Sequence, residues 1–236
     1  MPLLGSAAML LTFDVGTGAV GEHDRWHTQE HLPERLAIPG FLRGTRWVAA
    51  EGGGPRYMVL YEVGDLGVLT SEAYLARLNN PSPWTSRLMP HYRGMSRGLC
   101  SVLGSFGYGQ GEAAALVRFR PEPATAPELT RWLTQEALPD MPTLPGLGSA
   151  HLLQGARAAP MTNEQRIRGA DRAVDAAVLV TGYDRAAVDA QAARLTGADG
   201  LPARGATEIS ATEYRWSYSL ARAELDAGAS GSAPRR

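Results

Sequence analysis

The chain has 236 residues, 44% hydrophobic and 20% charged, with a formal net charge of -1. That length supports one large unit or two small ones with a real core, and near-neutrality supplies no electrostatic pull toward nucleic acid or an anionic membrane. All 23 basic residues are arginine, which excludes Schiff-base lysine chemistry and a Walker lysine, and the lone Cys100 can form neither an internal disulfide nor a cysteine-based zinc site.

Residues 8–15 read as a first strand. They are apolar but follow no basic segment, which argues against a signal peptide. No apolar run approaches the roughly 18 residues of a membrane helix. With a single cysteine, a reducing cytoplasm is the expected compartment. Residues 21–35 are helical in pattern, disturbed at Pro33, because proline lacks an N–H and crowds the preceding turn. Pro39-Gly40 is a turn, residues 41–50 a strand, and 52–55 (GGGP) a hairpin-type loop. Residues 56–63 (RYMVLYEV) alternate and are β-rich. A second helix is expected over 68–78, a long loop over 79–93, and a fourth strand over 94–106. After a short linker, 107–111 (GYGQG), the order repeats: strand 113–120, helix 126–138, strands 148–154 and 173–182, helix 184–195, strand 207–220. The linker glycines precede a strand rather than a helix, so they do not make a phosphate loop. Residues 155–172 are an Arg-rich insertion with no counterpart in the first half. The low-complexity tail, 223–236, is expected to be mobile.

The two halves share a local signature. Residues 26–41, WHTQEHLPERLAIPGF, align without a gap with 132–147, WLTQEALPDMPTLPGL. The expected organisation is therefore a tandem duplication: a first ferredoxin-like repeat over 1–106 carrying the site, a second over 112–222, and the tail. A βαββαβ unit has helices on one face of its sheet only, so two copies can pack sheet to sheet. The fold class is α+β, with two ferredoxin-like repeats closed as an α/β barrel.

On the duplicated βαββαβ order, the Trp26…Glu30-His31 helix and the Pro39-Gly40 turn, residues 7–220 resemble the dimeric α/β-barrel superfamily, and within it EthD-like proteins and their fused relatives. That resemblance implies a small-molecule pocket between sheet and helices and an enzyme of lyase, isomerase or oxygenase type, or a haem-binding branch. It does not name a reaction. Such proteins usually pair two chains. Here one chain could complete the barrel, and a homodimer stays open.

His27-Thr-Gln-Glu-His31 also matches H-x-x-E-H, an inverted zinc-protease motif. Against that reading, Pro33 interrupts the helix, and Glu136 recurs where the histidines have become Leu133 and Ala137. What both halves keep (Trp26, Thr28, Gln29, Glu30) is expected to serve the fold, with both tryptophans in the core. What one half adds, His27 and His31, is expected to serve function. Imidazole titrates near neutrality, so His31, helped by His27, is the candidate general acid/base. Trp84, Arg87 and His91 in the long loop are candidate substrate contacts, the ring offering apolar area and the guanidinium pairing an anion. Arg46 and Tyr61 join them from the strands, with Trp47, Tyr57 and Arg97 as further pocket-lining candidates. Cys100 is expected to be buried and inert. No cofactor is required, although haem through a histidine, or a divalent metal through His27/His31 with His23 and His91, remains an alternative. The expectation is a cofactor-independent enzyme using histidine acid–base chemistry on a small apolar or aromatic metabolite. A non-catalytic hydrophobic-ligand or haem-binding protein, or a metal-dependent enzyme, is the alternative.

Overall fold

A computed structural model describes residues 3–49, 54–156, 163–168 and 171–230. The first half contributes β1 (Ala7–Val15), α1 (Val20–Trp26), α2 (Leu32–Leu36), β2 (Phe41–Ala49), β3 (Tyr57–Val63), α3 (Glu72–Asn79), α4 (Pro83–Leu88) and β4 (Tyr92–Gly107). The second contributes β5 (Ala113–Pro121), α5 (Ala126–Trp132), β6 (Leu147–Gly155), α6 (Asn163–Arg168), β7 (Ala176–Gly182), α7 (Arg185–Thr196), β8 (Ala206–Ala221) and α8 (Arg222–Ser230). All neighbouring strands are antiparallel, and the sheet closes as β1-β3-β2-β8-β5-β7-β6-β4. Each half thus keeps the ferredoxin-like order, and the halves join through β2–β8 and β4–β6. Closure pairs every edge that two separate sheets would leave open.

Strand alternation divides the core in two. Even positions of β1 and β3, Ala8, Leu10, Met58 and Leu60, point into the barrel with Trp47, Leu116 and Leu179. Odd positions, Met9, Phe13, Tyr57, Val59 and Tyr61, face the helices of the first half. Side chains from both halves fill the interior. Trp47 is part of that filling, on the opposite face of the sheet from the first-half helices.

Three elements differ from the sequence expectation. The first helix continues past Pro33, but His27–His31 is a π-helical turn in which the Leu32 N–H donates to the His27 carbonyl. Proline crowds the carbonyl four residues back, and the wide turn ahead of it relieves that clash. The second half has the same device before Pro139, with a π turn over Leu133–Ala137. Residues 79–93 are not a long loop. Ser82 caps α4 by accepting from the Thr85 N–H, Pro83 starts the helix, and Met89–His91 adds a 3-10 turn. The tail is helical through Ser230, with the Arg222 guanidinium donating to the Leu36 carbonyl at 2.8 Å. Parts of the expected GGGP loop, the Arg-rich insertion and the tail lie outside the described residues. No helix among the described residues is long and apolar enough to cross a membrane.

Candidate functional site

The helix that carries HTQEH lies across the outer face of the first-half sheet. The π turn places His27 and His31 on its buried side, 2% and 8% exposed. Their ring centroids are 5.6 Å apart, and His23 extends the row at 5.5 Å from His27. Below them a cavity of about 30 Å³ is lined by His27, His31, Leu11, Phe13, Tyr61, Met89, Tyr92, Met95 and Glu164. That volume is room for little more than water, so the cavity as it stands is too small for a metabolite.

His27 Nε2 is 3.3 Å from the Tyr61 hydroxyl, and its tautomer decides which group donates. Its Nδ1 is buried with no partner among the described residues. Burial, then the neighbouring His23, Arg46 and Arg35, hold the His27 pKa well below the ordinary imidazole value. His27 is therefore neutral at physiological pH. Burial pushes the Tyr61 phenol up, so it stays protonated. The His31 ring lies tilted against Trp26, with centroids 4.3 Å apart. His23 is fixed by Tyr92, whose hydroxyl is 3.2 Å from Nε2, and by Asp24 at 3.3 Å from Nδ1. Burial lowers its pKa too, although Asp24 opposes the shift.

Glu30 belongs to the scaffold. One carboxylate oxygen accepts from the Trp26 indole N–H at 3.1 Å, from the Ser82 hydroxyl, and from the Thr85 hydroxyl at 3.4 Å, tying α1 to the cap of α4. A carboxylate so engaged is not placed to activate a metal-bound water. Among the described residues no three His, Cys, Asp or Glu side chains gather as metal ligands, so the donor set does not fit a protein-held metal. Nor do these residues fit a haem. One imidazole is hydrogen-bonded to Tyr61, and the other lies against the Trp26 ring, so neither is presented as an axial ligand.

Of the expected substrate contacts, only Tyr61 lines this cavity. Trp84 is half-buried outside α1, donating to Glu22 at 3.1 Å and covered by Arg25. Arg87 is exposed and, among the described residues, its guanidinium donates to the Pro83 carbonyl at 3.4 Å. His91 is exposed as well. Once 83–91 folds as helical turns, Arg87 and His91 fall on its outer side, and Trp84 packs against the edge of the first-half core. Arg46 is buried beside the row but is occupied with Asp24, donating to its carbonyl at 3.2 Å. Tyr57 also serves Asp24, at 2.8 Å, and Arg97 reaches Met9 and Tyr74. Trp26 is in the core, whereas Trp132 is half-buried under the Arg204 guanidinium, 3.8 Å from its ring centroid. Cys100 is buried, and burial pushes its thiol up to about 12.

Two charged residues were missed. Arg35, 2% exposed, lies one turn beyond His31. Its Nη2 donates to both carboxylate oxygens of Glu164, at 2.7 and 2.8 Å. Burial is the largest influence and lowers the Arg35 pKa, but the Glu164 charge, Tyr74, Tyr61 and the Glu164 hydrogen bond together raise it overall. The i,i+4 spacing from His31 could have flagged Arg35. Nothing in the insertion's sequence marks Glu164. The matching cavity of the second half, about 10 Å³, is lined by Phe119, Leu129, Leu133, Leu152 and neighbours, with no titratable side chain.

No family model and no curated protein matches the sequence. Solved structures do match. An anthrone oxidase-like protein superposes with a TM-score of 0.59 at 11% identity, over 95% of this chain and 97% of the other. A candidate monooxygenase from Lactobacillus acidophilus NCFM gives 0.58 at 8%, over 92% and 96%. Chlorite dismutase from Candidatus Nitrospira defluvii, in complex with imidazole, gives 0.54 at 12%, over 93% and 92%. At these identities the likeness concerns the fold: both halves of the chain together have the ferredoxin-like α/β-barrel architecture of these proteins.

Proposed function

We propose that the protein is a cofactor-independent enzyme that moves protons on a small apolar or aromatic metabolite bound between the first-half sheet and its helix. The observation that carries this reading is one-sided. His27, His31 and Tyr61 converge on one cavity, while the equivalent place in the second half has Leu133 and Ala137. Neutral His27 accepts a proton from a C–H or O–H of the substrate. His31, against Trp26 at the same cavity, returns or relays it. Tyr61 fixes the His27 ring and donates to an oxygen on which charge develops. Proton removal is a first step that lyase, isomerase and carbanion-type oxygenase chemistry can share, so the site supports all three.

The anthrone oxidase-like neighbour suggests a probe whose acidic methylene lies between two aryl rings. Anthrone in deuterated buffer should exchange its methylene hydrogens faster with the protein than without it, read by NMR. His27→Ala and His31→Ala should each remove most of the acceleration while keeping the native circular dichroism. Full exchange activity in both folded variants would refute the assignment.

A further inference from the structure

The deepest charge beside the cavity is Arg35, and its partner arrives from the other half of the chain. α6 lies in the insertion between β6 and β7, a stretch for which the first half has only the short connection from Ala49 to Tyr57. It is tethered over the first-half site by Asn163, whose backbone N–H donates to the Asn79 side-chain oxygen at 3.1 Å and whose amide donates to the Asn79 carbonyl at 2.9 Å. From there Glu164, itself 4% exposed, reaches Arg35 and forms part of the cavity wall. Only Nη2 is used, and Arg35 Nη1 is buried with no partner among the described residues. The guanidinium is thus under-satisfied by the carboxylate it has. Met89, Met95, Leu11 and Phe13 supply the apolar part of the lining; methionines are walls that repack readily around a guest.

We propose that the ligand of this pocket is a small apolar or aromatic carboxylate that takes the place of Glu164 on Arg35, so that Glu164 is a built-in stand-in for the ligand's anionic group. This rests on reading the site as a small-molecule pocket. A buried guanidinium cannot be left without an anion. One carboxylate can replace another at Arg35, and a ligand that engages Nη1 as well as Nη2 gains a two-pronged pairing that Glu164 does not make. A neutral ligand cannot make this exchange. Displacement also enlarges the cavity by the space of the Glu164 side chain, which its present volume requires before anything much larger than water can bind.

Binding of naphthoate and of its neutral counterpart naphthamide to the full chain, measured by calorimetry, tests this. Wild type should prefer naphthoate. Glu164→Gln, a neutral isostere that competes less well for Arg35, should tighten naphthoate by about tenfold or more and leave naphthamide within about twofold. The double variant R35Q/E164Q, which removes the pair without leaving a lone charge, should lose the preference. Equal binding of the two probes to E164Q, or weaker naphthoate binding than in wild type, would overturn the proposal. The readout needs no turnover: a naphthoate preference that tightens in E164Q supports the anion site even if His27 and His31 prove dispensable for exchange, a result that would count against the acid–base reading alone.

Discussion

Acid should destabilise this protein through its buried imidazoles, and His151 allows the effect to be sized. It lies inside the barrel, 2% exposed, with Ser105 Oγ 3.0 Å from Nδ1 and Ser149 Oγ 3.0 Å from Nε2. Burial, aided by the Arg43 charge, brings its pKa down to about 3. In the unfolded chain the same ring titrates near roughly 6.5. Between those values the unfolded state holds one more proton than the folded state, so stability is fully present above the unfolded value and falls as pH falls. The slope is about 1.4 kcal/mol per pH unit, or about 5 kcal/mol over the window down to about 3. His151→Gln keeps one donor and one acceptor for the two serines and has no proton to gain. Urea unfolding at a series of pH values from about 7 to 4 should therefore give a stability profile shallower in the variant by about 1.4 kcal/mol per pH unit below about 6. Parallel losses in the two proteins would refute the claim that His151 is held neutral.

The same direction of shift at His27 bears on catalysis: anthrone exchange should stay flat as pH falls below about 6, because the base keeps its unprotonated form there. An acid limb centred near the ordinary imidazole value would contradict it. Tyr61→Phe, which removes the hydroxyl 3.3 Å from His27 Nε2, should cost about 1–2 kcal/mol in urea unfolding and slow exchange by about tenfold. Glu30→Ala strips the shared acceptor from Trp26, Ser82 and Thr85 and should cost about 1–3 kcal/mol, whereas Glu136→Ala, on the exposed counterpart, should stay within about 0.5 kcal/mol. Arg87→Ala and His91→Ala remove exposed side chains and should change neither exchange nor stability beyond about 0.5 kcal/mol.

Most of the architecture was legible because its signals are local. Alternation in RYMVLYEV, turn residues at Pro39-Gly40, and the element order of each half are set by neighbours a few residues apart. The π turn was legible only as a disturbance: Pro33 announces a problem for the helix, but an extra backbone residue per turn and a full break are both solutions to it. Residues 79–93 misled because Ser82-Pro83 is a cap and first turn, and the same letters between Asn80 and Pro90 also suit an irregular loop.

Comparing the two halves separates HTQEH only in part. Glu30 is bonded into the scaffold whereas its counterpart Glu136 is exposed, so recurrence did not mark that role, and the two histidines line a cavity. The sequence by itself determined the fold class, the burial of Cys100 and the candidacy of His27, His31 and Tyr61, because each follows from residue type and short-range spacing. Only the tertiary structure decided which face of β3 meets the helices, that the barrel interior is packed, and that Trp84, Arg87 and His91 lie off the cavity. It alone joined Arg35 to Glu164, 129 positions along the chain. No local pattern encodes that pair. It exists because closure through β2–β8 and β4–β6 brings an insertion of the second half over the site of the first, and because a buried guanidinium must find an anion wherever the fold puts one in reach.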